Sequence, residues 1–200
     1  MKRIMLLACA LLAGCVNFGD KTNAPATVHY VLEDSGRIAV AATTASPVTS
    51  PILRVSDTVV AGFYDGEPLV FARTPDTRAH YQFARWTERP GKRFADLMRA
   101  RLDASVPYPV VAGSGHVRGD RLLDTELVAF YHDASVSPGV FRLVLRAELV
   151  DLNRRVLIGR RQFEQVIPLA SFDAAAAAAA ANRAVGHTLD DLAAWLASTP

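Results

Sequence analysis

Residues Phe141 to Val150 constrain the fold more than any other stretch of this chain. Phe141, Leu143, Leu145, Ala147 and Leu149 alternate with Arg142, Arg146 and Glu148. A period of two puts one set on each side of a β-strand, which therefore has one dry face and one wet face. Such a strand needs antiparallel neighbours and a second layer over its apolar side. The neighbours are at hand. Leu122 to Tyr131 is strand-like, and the turn Asp151-Leu152-Asn153-Arg154 sends Val156 to Ile167 back alongside. In that last segment the alternation slips around Gly159, which predicts a bulge, and Pro168 ends it.

The covering layer is legible too. After a break at Pro90-Gly91 the period changes. Phe94, Leu97, Met98 and Leu102 fall at i, i+3, i+4 and i+8, with Arg93, Asp96, Arg99 and Asp103 on other faces. This predicts an amphipathic helix from Lys92 to near Pro107. Further on, Ala174 to Ala181 is eight alanines in a row, the best helix-forming residue with the least side-chain bulk. Ser171 is the expected N-cap. Val185, Leu189, Leu192 and Leu196 supply the apolar stripe, and Asn182, Arg183, His187, Asp190 and Asp191 interrupt any membrane-spanning reading.

The first half reads as short strands. His29–Leu32, Arg37–Ala42, Ile52–Val60 and Tyr81–Trp86 are candidates, Val110–Ala112 is short and apolar, and Thr43–Pro51 and Gly113–Asp120 are loops. Asp65-Gly66 marks a turn, with Leu69–Arg73 as the returning strand of a hairpin. The order is strands, helix, strands, helix, with no regular βαβ alternation. It predicts an α+β fold: a mainly antiparallel sheet with two helices packed on one face.

The N-terminus carries an address. Lys2 and Arg3 precede nine apolar residues, Ile4 to Leu12, and the run ends in Leu12-Ala13-Gly14-Cys15. Nine residues at ~1.5 Å each cannot cross ~30 Å of hydrocarbon. They fit the apolar region of a secretory signal. Small residues directly before a cysteine make a lipobox. The expected organisation is a signal peptide over 1–14, then Cys15 as the acylated first residue, carrying diacylglycerol and an N-acyl chain. A polar tether over 15–27 follows, and a folded domain over 28–200. One acyl chain holds marginally, whereas two or three hold firmly. Val16 is not Asp, and by analogy with the sorting of enterobacterial lipoproteins this implies the periplasmic face of the outer membrane.

That address changes the meaning of the cysteine count. The chain has two, Cys9 and Cys15. With the first removed and the second acylated, no disulfide, cysteine zinc site or thiol nucleophile is left. The net charge of +2 gives no case for nucleic acid.

Searches for chemistry return little. No phosphate-binding Gly-x-x-x-x-Gly-Lys-Ser/Thr and no His-Glu-x-x-His occurs. The five histidines (29, 80, 116, 132 and 187) lack metal spacing. Gly113-Ser114-Gly115-His116 lacks the nucleophile-elbow pattern and reads as a turn. Arg118-Gly119-Asp120 is a chance tripeptide. Asp190 and Asp191 are adjacent on a helix and point different ways. His80 to Trp86 mixes aromatic and basic residues, so Tyr81, Arg85 and Trp86 are candidate partner contacts, and Tyr64 of the earlier Phe63-Tyr64 pair is a fourth. The plainer reading is a strand with alternate residues buried.

These features, in this order, resemble a known family. The lipobox ends at Cys15, and Tyr30-Val31-Leu32 follows the tether. Ile52-Leu53-Arg54-Val55, Phe63-Tyr64 and Val70-Phe71-Ala72-Arg73 come next. Tyr81 then precedes Phe83-Ala84-Arg85-Trp86, with Pro90 four residues beyond. A helix, a strand hairpin and a C-terminal helix close the chain. The sequence resembles the ABC-type transport auxiliary lipoproteins, which include PqiC-like components of Mce-type lipid transport systems. Members often have a Pro-Tyr/Phe-Leu turn where this chain has Ala61-Gly62-Phe63-Tyr64.

The resemblance implies a role without catalysis and without a cofactor. The expected partners are an Mce-domain substrate-binding protein with its ABC permease and ATPase, together with the membrane through the lipid. It also makes homo-oligomerisation an expectation. The transported material would be phospholipid or another hydrophobic molecule. An alternative is a structural or assembly lipoprotein of the outer membrane, such as a lipopolysaccharide-export partner of a β-barrel. A periplasmic hydrolase using Ser114 or His116 is a third, weaker reading.

Overall fold

The strand β7 (Arg121–Asp133) is the spine of the sheet in the computed structural model, which describes residues 25–36 and 50–199. β8 (Val140–Asp151) lies antiparallel to it along its length, from Arg121 opposite Asp151 to Asp133 opposite Val140. β9 (Val156–Pro168) follows β8, again antiparallel. The alternation read in the sequence is the observed one: Leu143, Leu145 and Ala147 are fully buried and Arg146 is in water. The expected bulge is also present. Leu149 faces Gly159 while Val150 faces Leu157, leaving Ile158 without an opposite residue. Glycine suits position 159 because a Cβ there would lie 3.2 Å from the Trp195 ring.

The other side of β7 is met by three short strands in turn, each parallel to it. β2 (Leu53–Val55) pairs with Arg121–Leu123, and β3 (Val59–Val60) with Glu126–Leu127. The end of β4 (Pro68–Ala72) pairs with His132–Asp133. Residues 53–72 thus run beside β7 as one interrupted strand. The first gap is stitched by a buried hydrogen bond, Thr58 Oγ1 to Thr125 Oγ1 at 2.9 Å. The second holds a single 3-10 turn, Gly62–Tyr64. It takes up chain that β7 does not match: Val60 and Phe71 are eleven residues apart, but their partners Leu127 and His132 only five.

This corrects one expectation. Asp65-Gly66 does not close a hairpin, because β4 continues in the direction of β2 and β3. The antiparallel partner of β4 is instead β5 (Ala79–Trp86), and β1 (Val28–Tyr30) lies parallel outside β5. β6 (Val110–Ala112) lies parallel outside β2. The fold is α+β and the sheet is mainly antiparallel, as expected, through the long β7, β8 and β9 pairings. It is mixed rather than purely antiparallel because the short strands of the first half add parallel pairs. The sequence hides this because three-residue strands have too few side chains to show a period.

Two helices occur among the described residues. α1 (Pro90–Ser105) starts at the expected break: proline lacks an N–H, and the first helical position has no acceptor for one. α2 (Ala174–Ser198) is capped by Asp173, whose carboxylate accepts from the Ala176 N–H at 2.8 Å. Ser171, the expected cap, instead donates its hydroxyl to Asp173. α2 packs on β8 and β9 and against α1, and α1 also meets β6. Ala177, Ala178, Ala180, Ala181 and Ala184 are buried, so the alanine run lets the helix lie close to its neighbours. One core joins the layers, with Phe94, Met98, Leu123, Leu145, Leu189 and Leu192 at 0% exposure. Each such side chain contributes roughly 1.5–3 kcal/mol, and no disulfide is available among the described residues to add to that.

The expected strand Arg37–Ala42 and most of the loop Thr43–Pro51 lie outside the described residues.

Candidate functional site

The segment that follows β1 is fastened to both helices. Leu32 is buried at 1% exposure, and its carbonyl accepts from Arg93 Nε on α1 at 3.0 Å. The Glu33 N–H donates to Asn182 Oδ1 on α2 at 3.1 Å, and the Ser35 hydroxyl donates to the Asn182 carbonyl at 2.9 Å. Asp34 accepts from Arg101 Nη2 at 2.6 Å, and the other arm of the same guanidinium reaches Asp190. Asp34 also accepts from the Gly36 N–H at 2.9 Å, which folds the segment into a tight turn.

Arg101 is the centre of this clamp. It is 2% exposed, the bulkiest fully buried side chain among the described residues. It lies on the apolar stripe of α1, seven residues after Phe94 and three after Met98. A charge there is costly unless it is paired and hydrogen-bonded. Asp34, 10% exposed, is its dry partner, while Asp190 is 53% exposed and screened by water. The approach needs small residues. A Cβ on Gly36 would strike the Arg101 guanidinium, and one on Gly186 in α2 would lie 2.6 Å from the Gly36 nitrogen.

The far end of the sheet carries an aromatic cluster. The Tyr81 hydroxyl lies 2.7 Å from His132 Nδ1, and His132 Nε2 lies 2.9 Å from the Pro138 carbonyl. A carbonyl only accepts, so Nε2 carries the proton, and Nδ1 accepts from Tyr81. Burial pushes the His132 pKa below its usual value, against the hydrogen bond to Pro138. Burial, then the charge of Asp173, pushes Tyr81 up to about 12. Both groups are therefore neutral near pH 7. Nearby, Arg78 donates to the Tyr64 hydroxyl at 2.7 Å and lies 4.0 Å above the Tyr131 ring. Phe63 stacks on His80 at 4.6 Å with nearly half its surface in water.

The four candidate contact residues do not form one surface. Trp86 is 2% exposed and packs on Phe130, and Tyr64 is buried on Tyr131, so both rings belong to the core. Tyr81 is half-buried on His132. Arg85 alone of the four is exposed. Cys15 and the lipobox residues Leu12, Ala13 and Gly14 lie outside the described residues.

Ser114 and His116 are exposed in the 113–120 turn, with no hydrogen bond joining them. Among the described residues no group of three His, Cys, Asp or Glu could hold a metal ion. No described helix is long and apolar enough to cross a membrane. Asp190 and Asp191 face different partners, Arg101 and Gln165. Sequence reasoning missed Arg101, Asp34, Asn182 and His132. The signal for Arg101 was present, as a cation at a stripe position.

Comparison with known proteins adds a family. The model of the ABC-type transport auxiliary lipoprotein component matches residues 30–193. No curated protein matches. Among solved structures, a protein from Xanthomonas campestris is similar with a TM-score of 0.72 at 21% identity, covering 85% of this chain and 94% of that one. An uncharacterised protein gives 0.67 at 14% identity, covering 86% and 99%. A hypothetical protein from Chlamydia trachomatis gives 0.50 at 9% identity, covering 74% and 94%. At these identities the likeness is one of fold.

Proposed function

The chain belongs to the ABC-type transport auxiliary lipoprotein component family, and from that premise we propose that it is a lipid-anchored accessory working at the outer membrane. Its lipid is carried on Cys15, and its partner is an Mce-domain protein served by an ABC permease and ATPase. It acts by holding and binding rather than by catalysis. The cargo of the system is phospholipid or another hydrophobic molecule.

The observation that carries this reading is the clamp on residues 31–36. A tether transmits position only if its end is fixed to the domain. Here the chain becomes a strand at Val28 and is then fastened to both helices through Leu32, Glu33, Asp34 and Ser35. From Cys15 to Val28 the chain can span at most about 45 Å, at ~3.5 Å per residue. The domain would then work within that distance of the bilayer surface.

The test is cross-linking in whole cells followed by purification of the full chain. Recovery of an Mce-domain protein is the expected result. Recovery of an outer-membrane β-barrel in its place would favour an assembly role and overturn the transport partnership.

A further inference from the structure

Three loops close the far end of the sheet side by side: 73–78 after β4, 134–139 after β7, and 169–173 before α2. Backbone hydrogen bonds join them. The Ala134 N–H donates to the Ala72 carbonyl at 2.7 Å, and the Leu169 N–H to the Gly139 carbonyl at 3.1 Å. Two apolar side chains on these loops stand in water, Val136 at 74% exposure and Phe172 at 46%. Phe172 meets the buried His132 edge to face, with 5.4 Å between ring centres, which holds the ring in place.

This end carries no net charge. Its loops hold Arg73, Asp76, Arg78 and Asp173, two of each sign. Arg78 is turned onto Tyr64 and Tyr131, and Asp173 caps α2. The opposite end lies about 40 Å away, twelve steps along β7 at ~3.3 Å each. It is basic: Arg118, Arg154 and Arg155 are exposed there beside Arg121. Its carboxylates, Asp120 and Asp151, accept from backbone N–H groups of Ile52, Asn153 and Arg154.

The course of the chain says what meets the uncharged end. β1 is parallel to β5, with Val28 beside Ala84 and Tyr30 beside Trp86, so it enters from the side of Ala79. Ala79 lies opposite Phe71, and Phe71 beside His132, at this same end. The segment leading from Cys15 therefore reaches the sheet from the end that bears Val136 and Phe172. On the reading that Cys15 carries the lipid, we propose that this end of the domain docks on the bilayer, with Val136 and Phe172 set into its headgroup layer. Two apolar side chains on separate loops offer a protein segment no groove, whereas a lipid interface accepts them singly. A contact this small would not hold a free protein. Behind a tether spanning at most about 45 Å it need not, because short flexible linkers give effective concentrations of roughly millimolar.

The test uses the full acylated chain in vesicles of phosphatidylethanolamine and phosphatidylglycerol. Single cysteines take an environment-sensitive dye: Val136→Cys and Ala170→Cys at the docking end, Arg154→Cys at the other. Lipid carrying a quencher near the headgroup should dim the dye at 136 and 170 and leave it unchanged at 154. Phe172→Asp, added to Val136→Cys, should reduce that quenching. Equal quenching at all three positions, quenching at 154 alone, or none would overturn the proposal. So would a dye at 136 that is shielded in whole envelopes but not reached by quencher lipid, which marks a protein cover. The chain with no added cysteine separates docking from anchoring. Its Cys15 should take no dye, because the sulfur carries diacylglycerol. Labelling there would contradict the anchor itself, whereas missing quenching above an unlabelled Cys15 would contradict the docking alone.

Discussion

Arg101 on α1 holds Asp34 at 2.6 Å across 67 residues of sequence. The pair fixes the segment after β1 to the helical layer. Because Arg101 is dry and Asp190 is wet, the two carboxylates are not equivalent partners.

Asp34→Asn should therefore cost far more than Asp190→Asn. Removing one member of a buried ion pair costs about 3–5 kcal/mol, while an exposed pair is worth about 0–1 kcal/mol. Chemical denaturation of the two variants beside the wild type measures the difference. Equal losses would mean that Asp34 is not the partner that compensates Arg101.

Gly186→Ala separates packing from helix propensity. In a free helix interior alanine is better than glycine by about 1 kcal/mol. Here the new Cβ would sit 2.6 Å from the Gly36 nitrogen and 2.9 Å from Ser35 Oγ. The expected result is a loss of about 1–3 kcal/mol, as for overpacking. A rise in thermal midpoint would show that the segment does not press on α2.

His132 gives a pH dependence with a definite direction. Its folded pKa is depressed, burial being the main cause. Between that value and the unfolded value of about 6.5, the unfolded chain binds the proton and the folded chain does not. Stability is fully present above about pH 6.5 and falls as the pH drops toward the folded pKa. Asp133 and Asp173 also have lowered values, but they titrate from below the carboxylate value of 3.8, outside this window. Denaturation midpoints at pH 7.5 and 5.5 should differ for the wild type, and the difference should shrink for His132→Gln. An equal difference in both would assign the dependence to another group.

The sheet was legible where strands are long. The alternation of Phe141, Leu143, Leu145, Ala147 and Leu149 with Arg142, Arg146 and Glu148 predicts β8 and requires β7 and β9. It was not legible in residues 53–72, where the strands are two to five residues long and take their direction from β7. Asp65-Gly66 has the local chemistry of a hairpin, but the register on β7 overrides it. Both helices were visible, and their starts were misplaced by two or three residues because Pro90 and Asp173 serve as starters. The clamp was hidden for another reason. Arg101 stands out in sequence only as a cation on an apolar stripe, nothing marks Asp34 as its partner, and only the fold brings the two together.

The most direct test of the lipid-anchored reading is the mature N-terminus of the protein made in its own host. Mass spectrometry of the N-terminal peptide should find a triacylated Cys15 followed by Val16, with the protein in the membrane fraction. Cys15→Ser should abolish lipid labelling and leave the precursor uncleaved. An unmodified N-terminus at another residue, in a protein recovered free of membrane, would contradict the account.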